Sequence, residues 1–535
     1  MSVGETVKQR PNFILFITDQ HQANHLGCYG NAVLKTPHID HIAGRGTRFD
    51  RFYVTNPFCM PSRSSIITGR MPSAHGVRTN GVPLSLQSQT FVESLRSDGY
   101  RTALIGKLHL QNMTSVPRAY TPSPADVAFD DEDILVQARR FDLEGPAYEN
   151  ESHQKWANDP EHEIRAPYYG FDHVDLCTMH GDLVGGNYGR WLLNQLNDPA
   201  AVRGRDNALP SSFQPPQSWR TGLDEAVYPS AYIGRQTDRW LRDLKASGET
   251  RPFFLQCSFP DPHHPFTPPG KYWDMYDPDD IALPANFGKG DSPMLRHLRE
   301  AFKSGTANRD TTLPYVVTEK EARETTALTY GAISMVDDQI GVVLQALQDE
   351  GYAEDTILVF MADHGEYMGD YGIMLKGPIH SKSMIRIPFI WADPQMPGVS
   401  STPALSSALD LSATVLARAG ILPYHGLQGR SLLPLIQEQQ EVHRTEILVE
   451  DDREVIYLGF EEPQRVRTLV TEGFRMSLFR PLGYSELFDL KEDPHEITNV
   501  WNDPNYFDAK ASLTERMVGA MADLQDWCPL PTGRA

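Results

Sequence analysis

Several stretches place ionisable side chains directly after apolar runs. Asp19 and Gln20 follow FILFI, Lys107 and His109 follow TALI, His263 follows FFLQC, and Asp363 and His364 follow ILVFM. Carboxylates gathered at one edge of a fold need a partner, because an unpaired buried charge is expensive. A divalent cation is such a partner, and oxygen-rich ligation by Asp19 and Asp363, with His364, suits calcium, magnesium or manganese. Lysines drawn into a cleft need an anion to meet, and Lys107 in GKLH and Lys376 in LKG are placed for one. His263 lies in PDPHHPF, where prolines restrict the chain, and a histidine held there suits a general acid, with His264 as the local alternative. Cys59 stands in NPFCMPSRSSIITGR, ahead of a proline, a hydroxyl residue and an arginine. Taken singly, each of these is ordinary: Asp-His pairs recur in loops, most lysines are solvated, and a lone cysteine usually packs as a small apolar residue.

To act together, the residues must be carried to one place. Apolar runs at 13–17, 102–105, 253–257, 357–361 and 388–391 read as buried parallel strands. Helical patterns lie between them, at 90–97 and at 318–348, the second opening on TEKE and ending before Gly351. Such alternation predicts a doubly wound α/β fold, whose ligand sites lie at the carboxyl ends of strands. From about residue 430 the pattern changes to short runs at 445–449, 466–470 and 474–479 with polar turns between. We read 1–430 as a catalytic α/β domain and 431–535 as a smaller antiparallel subdomain. The stretch 112–225, rich in Pro, Asn, Asp and Gln, reads as insertions over the sheet that shape a pocket. Met517, Met521, Leu524 and Trp527 recur at helical spacing, for packing on the parent fold or on a second copy, so a homo-oligomer stays open.

Composition narrows the partners. The chain has 535 residues, 22% of them charged, and a formal charge of −21, which argues against nucleic acid or an anionic membrane surface as partner. An anionic substrate must therefore be met by a local cluster of cations or by a metal. Five scattered cysteines without a CxxC pair fit neither a disulfide framework nor a zinc site. MSVGETVKQRPN runs into an apolar strand without a signal-peptide pattern, and no stretch approaches eighteen apolar residues, so a cytoplasmic protein is expected.

The spacing Cys59-x-Pro61-Ser62-Arg63-x-x-x-x-Thr68-Gly69-Arg70 resembles the signature of type I sulfatases, within the alkaline-phosphatase superfamily. ITDQ, LGCYG, TPHID, GKLHL, PHHPF, ADHGE, LKG and LFDLKEDPHE follow in the family's order along nearly the whole chain. The resemblance implies a mixed, largely parallel sheet sandwiched by helices. It further implies that a maturation enzyme oxidises Cys59 to Cα-formylglycine, whose hydrate supplies one hydroxyl as nucleophile and a second that expels sulfate as the aldehyde re-forms. By the same resemblance Asp19, Gln20, Asp363 and His364 hold one divalent cation beside residue 59. Arg63 and His109 hold the diol, Lys107 and Lys376 bind the transferring group, His263 protonates the leaving oxygen, and Asn80 is a weaker substrate contact. LGCYG resembles a structural turn, which assigns His25 and Cys28 to packing.

Two positions depart from many sulfatases, which carry aspartate at Gln20 and asparagine at His364. Both changes resemble the phosphonate monoester hydrolase and choline-sulfatase branches, and they favour manganese over the usual calcium. The expected activity is hydrolysis of a small sulfuric ester, arylsulfatase-like. A phosphonate monoester hydrolase or phosphodiesterase of the same fold, or a choline-sulfatase-like enzyme, is the alternative. Retention of Cys59, Arg63, both lysines and both histidines speaks against a non-catalytic relative, and Cys59 speaks against a phosphomonoesterase with a serine or threonine nucleophile.

Overall fold

The computed structural model describes residues 10–114, 116, 143–213, 215–453, 456 and 458–533. The expectation drawn from the first nine residues, and residues 115, 117–142 and 214 of the 112–225 stretch, lie outside the described residues. A nine-stranded sheet forms the centre. Its strands are β1 (Asn12–Thr18), β2 (Thr47–Phe49), β3 (Arg101–Gly106), β4 (His173–Thr178), β5 (Gly185–Gly186), β6 (Phe253–Phe259), β7 (Thr356–Ala362), β8 (Phe389–Ala392) and β9 (Ser401–Thr402). They run in the order β9-β2-β8-β7-β1-β6-β3-β4-β5. β1 pairs in parallel with β6 and β7, and β3 with β6 and β4.

Every residue of β1 and β6 is buried, so both strands read as mainly apolar runs, interrupted only by Gln256 and Ser258 in β6 and by the end residues Asn12 and Thr18 of β1. Burying one such Phe, Leu or Ile side chain contributes about 1.5–3 kcal/mol. The same double burial explains one difference from expectation. The run at 388–391 reads like a parallel strand, yet β8 is antiparallel to β7 and β2, because continuous hydrophobicity reports burial of both faces and carries no strand direction.

Helices cover the sheet. α1 (Cys59–Thr68), α2 (Phe91–Ser97), α3 (Pro229–Ala246) and the 31-residue α4 (Glu319–Asp349) are the ones used below. The TEKE pattern forms a capping box: Thr318 Oγ1 accepts from the Glu321 amide, and the Glu321 carboxylate accepts from the Thr318 amide. Thr90 caps α2 through its side chain, accepting from the Glu93 amide.

Gly106 ends β3 at φ +110°, and a Cβ there would lie 1.9 Å from the Ser258 carbonyl oxygen of the neighbouring strand. That approach turns the chain into Lys107. Gly106→Ala is expected to cost about 2 kcal/mol or more, read as a lower urea midpoint. Gly189→Ala, where the new methyl would meet nothing, serves as the control and is expected to be neutral or slightly stabilising.

Beyond residue 430, β10 (Glu446–Asp452), β11 (Arg465–Thr471), β12 (Phe474–Arg480) and β13 (Ser485–Asp489) form an antiparallel sheet. The last strand was not anticipated, since SELFD is short and carries two acids. α5 (Phe507–Asp523) lies against this sheet through Leu513, Met517 and Ala520. The expected face is thus only partly right: Leu524 is half-buried beside it, but Met521 and Trp527 are exposed. Among the described residues no helix is long and apolar enough to cross a membrane.

Candidate active site

Five adjacent strands end at one edge of the sheet, in the order β7, β1, β6, β3, β4. Their carboxyl ends lead into Asp363 and His364, Asp19 and Gln20, Asp261 to His264, Lys107 to His109, and His180. With strands about 4.8 Å apart, side chains from neighbouring ends fall within contact distance. The chain pays locally for this, because Gln20, His109, Met179 and Leu375 all take positive φ, between +59° and +68°.

Cys59 opens α1, a helix whose ten residues are all buried. Its Sγ lies 3.0 Å from Lys376 Nζ, 3.1 Å from His364 Nε2 and 3.7 Å from Asp19 Oδ1. Burial and the Asp19 carboxylate push the thiol up, but Lys376, Lys107 and His364 outweigh them, so its pKa falls below the ordinary value. Asn80 is exposed, and its Oδ1 accepts from the Met60 amide at 3.1 Å. That oxygen is therefore engaged by the first turn of α1, which leaves the substrate role expected of Asn80 without support from this contact.

The cations are pinned as well. Arg63 donates from Nε to Asp363 Oδ2 at 2.7 Å and from Nη1 to the Lys107 carbonyl and Ser258 Oγ, and Nη2 lies 3.4 Å from Asp19 Oδ2. It thus braces the two carboxylates instead of pointing its donors at Sγ. Lys107 Nζ donates to the Asp19 carboxylate and to His180 Nε2 at 2.6 Å. Burial would raise the Asp19 pKa, but Lys107, His263, His180 and Arg63 hold it well below the usual carboxylate range. Lys376 Nζ lies 2.8 Å from His263 Nε2 and 3.2 Å from His364 Nε2. Burial, with His180 and Lys376 beside it, keeps the His263 pKa well below the free value.

Asp19, Cys59, Asp363 and His364 each offer one ligand atom, and these atoms lie within 4.8 Å of one another, all in buried residues. Gln20, whose backbone amide donates to Asp363 Oδ1, has a buried Oε1 without a hydrogen-bond partner. An oxygen-rich set with one imidazole and an orphaned amide oxygen fits one divalent cation.

The family model described as Sulfatase matches residues 11–421. This chain belongs to the sulfatase family. A second model, N-sulphoglucosamine sulphohydrolase, C-terminal, matches residues 369–523 of the sulfatase. It is 27% identical over 507 residues to an arylsulfatase of Clostridium perfringens, covering 93% of this chain and 91% of that protein. It is also 27% identical over 526 residues to the multifunctional alkaline phosphatase superfamily protein PehA of Trinickia caryophylli, covering 93% and 92%. In fold it is similar to the phosphonate monoester hydrolase of Agrobacterium radiobacter, with a TM-score of 0.74 at 24% identity, over 97% of this chain and 96% of the other.

Most residues singled out in the sequence of this sulfatase meet at that edge. His109 is less direct: its amide donates to Glu151, and its buried Nδ1 has no partner. His263 faces Lys376, whereas His264 backs onto Gln20, with Nδ1 3.4 Å from Nε2. His25 packs against Tyr330 and the Cys28 amide donates to Asp40, both away from the cluster, in keeping with a structural turn.

Two site residues were missed. His180 stacks on His263 with ring centroids 3.6 Å apart, and at 15% side-chain exposure it is the most open member of the cluster. It follows β4, a sheet strand inside the stretch read as insertions, which corrects that reading. HVDLCT hides as a strand because His173 is exposed, Val174 and Asp175 are only partly buried, and two of these three side chains are polar. Glu366, in ADHGE, was quoted only as part of a motif, yet its carboxylate accepts from Gln20 Nε2 and from the Leu375 amide.

Proposed function

We propose that this sulfatase hydrolyses small sulfuric esters, arylsulfatase-like, to inorganic sulfate and an alcohol or phenol. In this reading a maturation enzyme oxidises Cys59 to formylglycine, and residue 59 is the nucleophile. The observation that carries it is the seat of Cys59: first residue of a buried helix, 3.0 Å from Lys376 Nζ and 3.1 Å from His364 Nε2, with Asp19 and Asp363 alongside. Asp19, Gln20, residue 59, Asp363 and His364 would hold one divalent cation, which when bound supplies Lewis-acid stabilisation of charge on oxygen. The uncharged Gln20 and the His364 nitrogen favour manganese over calcium there. Lys107 and Lys376 take the non-bridging sulfate oxygens, where charge develops. Arg63 holds the Asp19 and Asp363 carboxylates in place, and His263, whose Nε2 faces the Lys376 ammonium at 2.8 Å, takes a proton from it and passes that proton to the leaving oxygen. The alcohol side is shaped by the segment that carries His180. Beside it Leu209, Phe213, Gln217, Trp219 and Arg220 border a cavity of about 490 Å³, tied to the His263 loop by the Phe266 amide donating to Gln217 O.

Gln20 and His364 also support a second reading, hydrolysis of phosphonate monoesters or phosphodiesters. These present the same tetrahedral centre with one negative charge, so cross-activity is expected, and choline sulfate is the remaining candidate. Protein co-produced with a formylglycine-generating enzyme is tested on aryl sulfates, choline sulfate, phosphonate monoesters and phosphodiesters. The highest kcat/KM is expected on a sulfate ester; a clear lead for a phosphonate would reverse the order of the two readings. Peptide mass spectrometry across residues 52–63 is expected to show loss of about 18 Da for thiol-to-aldehyde conversion. Full activity with an intact thiol would end the formylglycine mechanism.

A further inference from the structure

Gln20 is a carboxamide whose two ends differ little in shape but are opposite in chemistry, and nothing steric decides which end faces the ligand cluster. Three observations show what does. The Gln20 backbone is held in a left-handed conformation, φ +60°, with its amide donating to Asp363 Oδ1 at 3.0 Å. The Nε2 donates to a Glu366 carboxylate oxygen and lies 3.4 Å from His264 Nδ1. The Oε1 is buried with no partner, in a residue whose own backbone amide is bonded to Asp363. A carboxylate accepts and cannot donate, so it captures the amide nitrogen and leaves the oxygen outward.

We infer that Glu366 is a positioning residue: it orients Gln20 so that an oxygen acceptor, and not an NH₂ group, completes the cation site. This rests on the reading of that site as a metal centre. Glu366 is itself immobilised, because it is buried and its other oxygen accepts from the Leu375 amide and, at 3.4 Å, from the Met368 amide. One carboxylate thereby sets Gln20 on one side and the backbone leading into Lys376 on the other. Gln20 and Glu366 then form a matched pair. An aspartate at position 20 would set a third carboxylate beside Asp363 and directly opposite Glu366, and becomes compatible only when Glu366 is neutralised.

Glu366→Gln is the discriminating variant. Its amide oxygen can still accept from Leu375, but its NH₂ opposes the NH₂ of Gln20, which turns over and presents a donor to the cation. Manganese affinity is measured by calorimetry on chelator-stripped full-length protein, with the melting temperature of the metal-free form as control for folding. The expected result is affinity about 10- to 100-fold weaker, with little change in metal-free melting. The double variant Gln20→Asp/Glu366→Gln is expected to regain most of the lost affinity, which a merely structural Glu366 would not allow. If wild type binds manganese and Glu366→Gln binds it equally well, or if the double variant stays as weak as the single, the assignment is overturned. If wild type binds no divalent cation, the metal-centre reading itself fails and takes this one with it. Should Glu366→Gln be insoluble, Glu366→Asp withdraws the acceptor by one methylene, and a tenfold weaker affinity supports the same conclusion; unchanged affinity refutes it.

Discussion

Cys59→Ser is expected to abolish multiple turnover, lowering steady-state kcat by about 10³-fold or more. Serine fills nearly the same volume at the first position of α1, and Lys376, His364 and Asp19 all approach that side chain within 3.7 Å. The variant is therefore expected to fold, to bind substrate and, at most, to be sulfated once. A serine sulfate ester has no second hydroxyl through which to collapse to an aldehyde, so the sulfate stays. With para-nitrophenyl sulfate the expected trace is a burst of no more than one equivalent, followed by a flat line. Sustained turnover by the serine enzyme would show that the aldehyde exit is dispensable and that Cys59 acts in another way.

His263→Ala is expected to separate substrates by leaving group. A general acid contributes about 10²- to 10⁴-fold, and more as the leaving oxygen becomes more basic. Loss of the ring also removes one of the partners of Lys376 and the stacking face of His180, which lowers every substrate by a common factor. The diagnostic quantity is therefore the slope across a leaving-group series. Alkyl sulfates are expected to lose about 10²-fold or more while para-nitrophenyl sulfate, whose leaving group scarcely needs a proton, loses about tenfold or less. Parallel losses along the whole series would reject His263 as the acid and leave it a residue that holds Lys376.

Much of the site was legible before any coordinates. Strands buried on both faces announce themselves as apolar runs, and the first polar residues after them are the ones that face a cleft in an α/β sheet. Asp19, Lys107, His263 and Asp363 were found in that way, and the motif around Cys59 pointed to the remaining chemistry. His180 escaped because β4 is a partly exposed strand of mixed composition, so no periodicity marked the turn after it. Glu366 escaped because a buried carboxylate among backbone amides has no local signature: what it does depends on Gln20, 346 positions away. The direction of β8 escaped because hydrophobicity carries none.

By itself, then, the sequence determined the class of fold, the edge of the sheet where the ionisable groups gather, and the identity of most groups brought there, because burial and strand ends are properties of short stretches. Only the tertiary structure decided which partner each group meets. Arg63 is turned onto the two carboxylates, His263 and not His264 faces Lys376, the Asn80 acceptor is spent on the Met60 amide, and the oxygen of Gln20 is left free. Those choices depend on hydrogen-bond geometry between strands distant in the chain. A difference of about 1 Å, or the turn of one amide, separates a ligand from a spectator, and no local pattern encodes it.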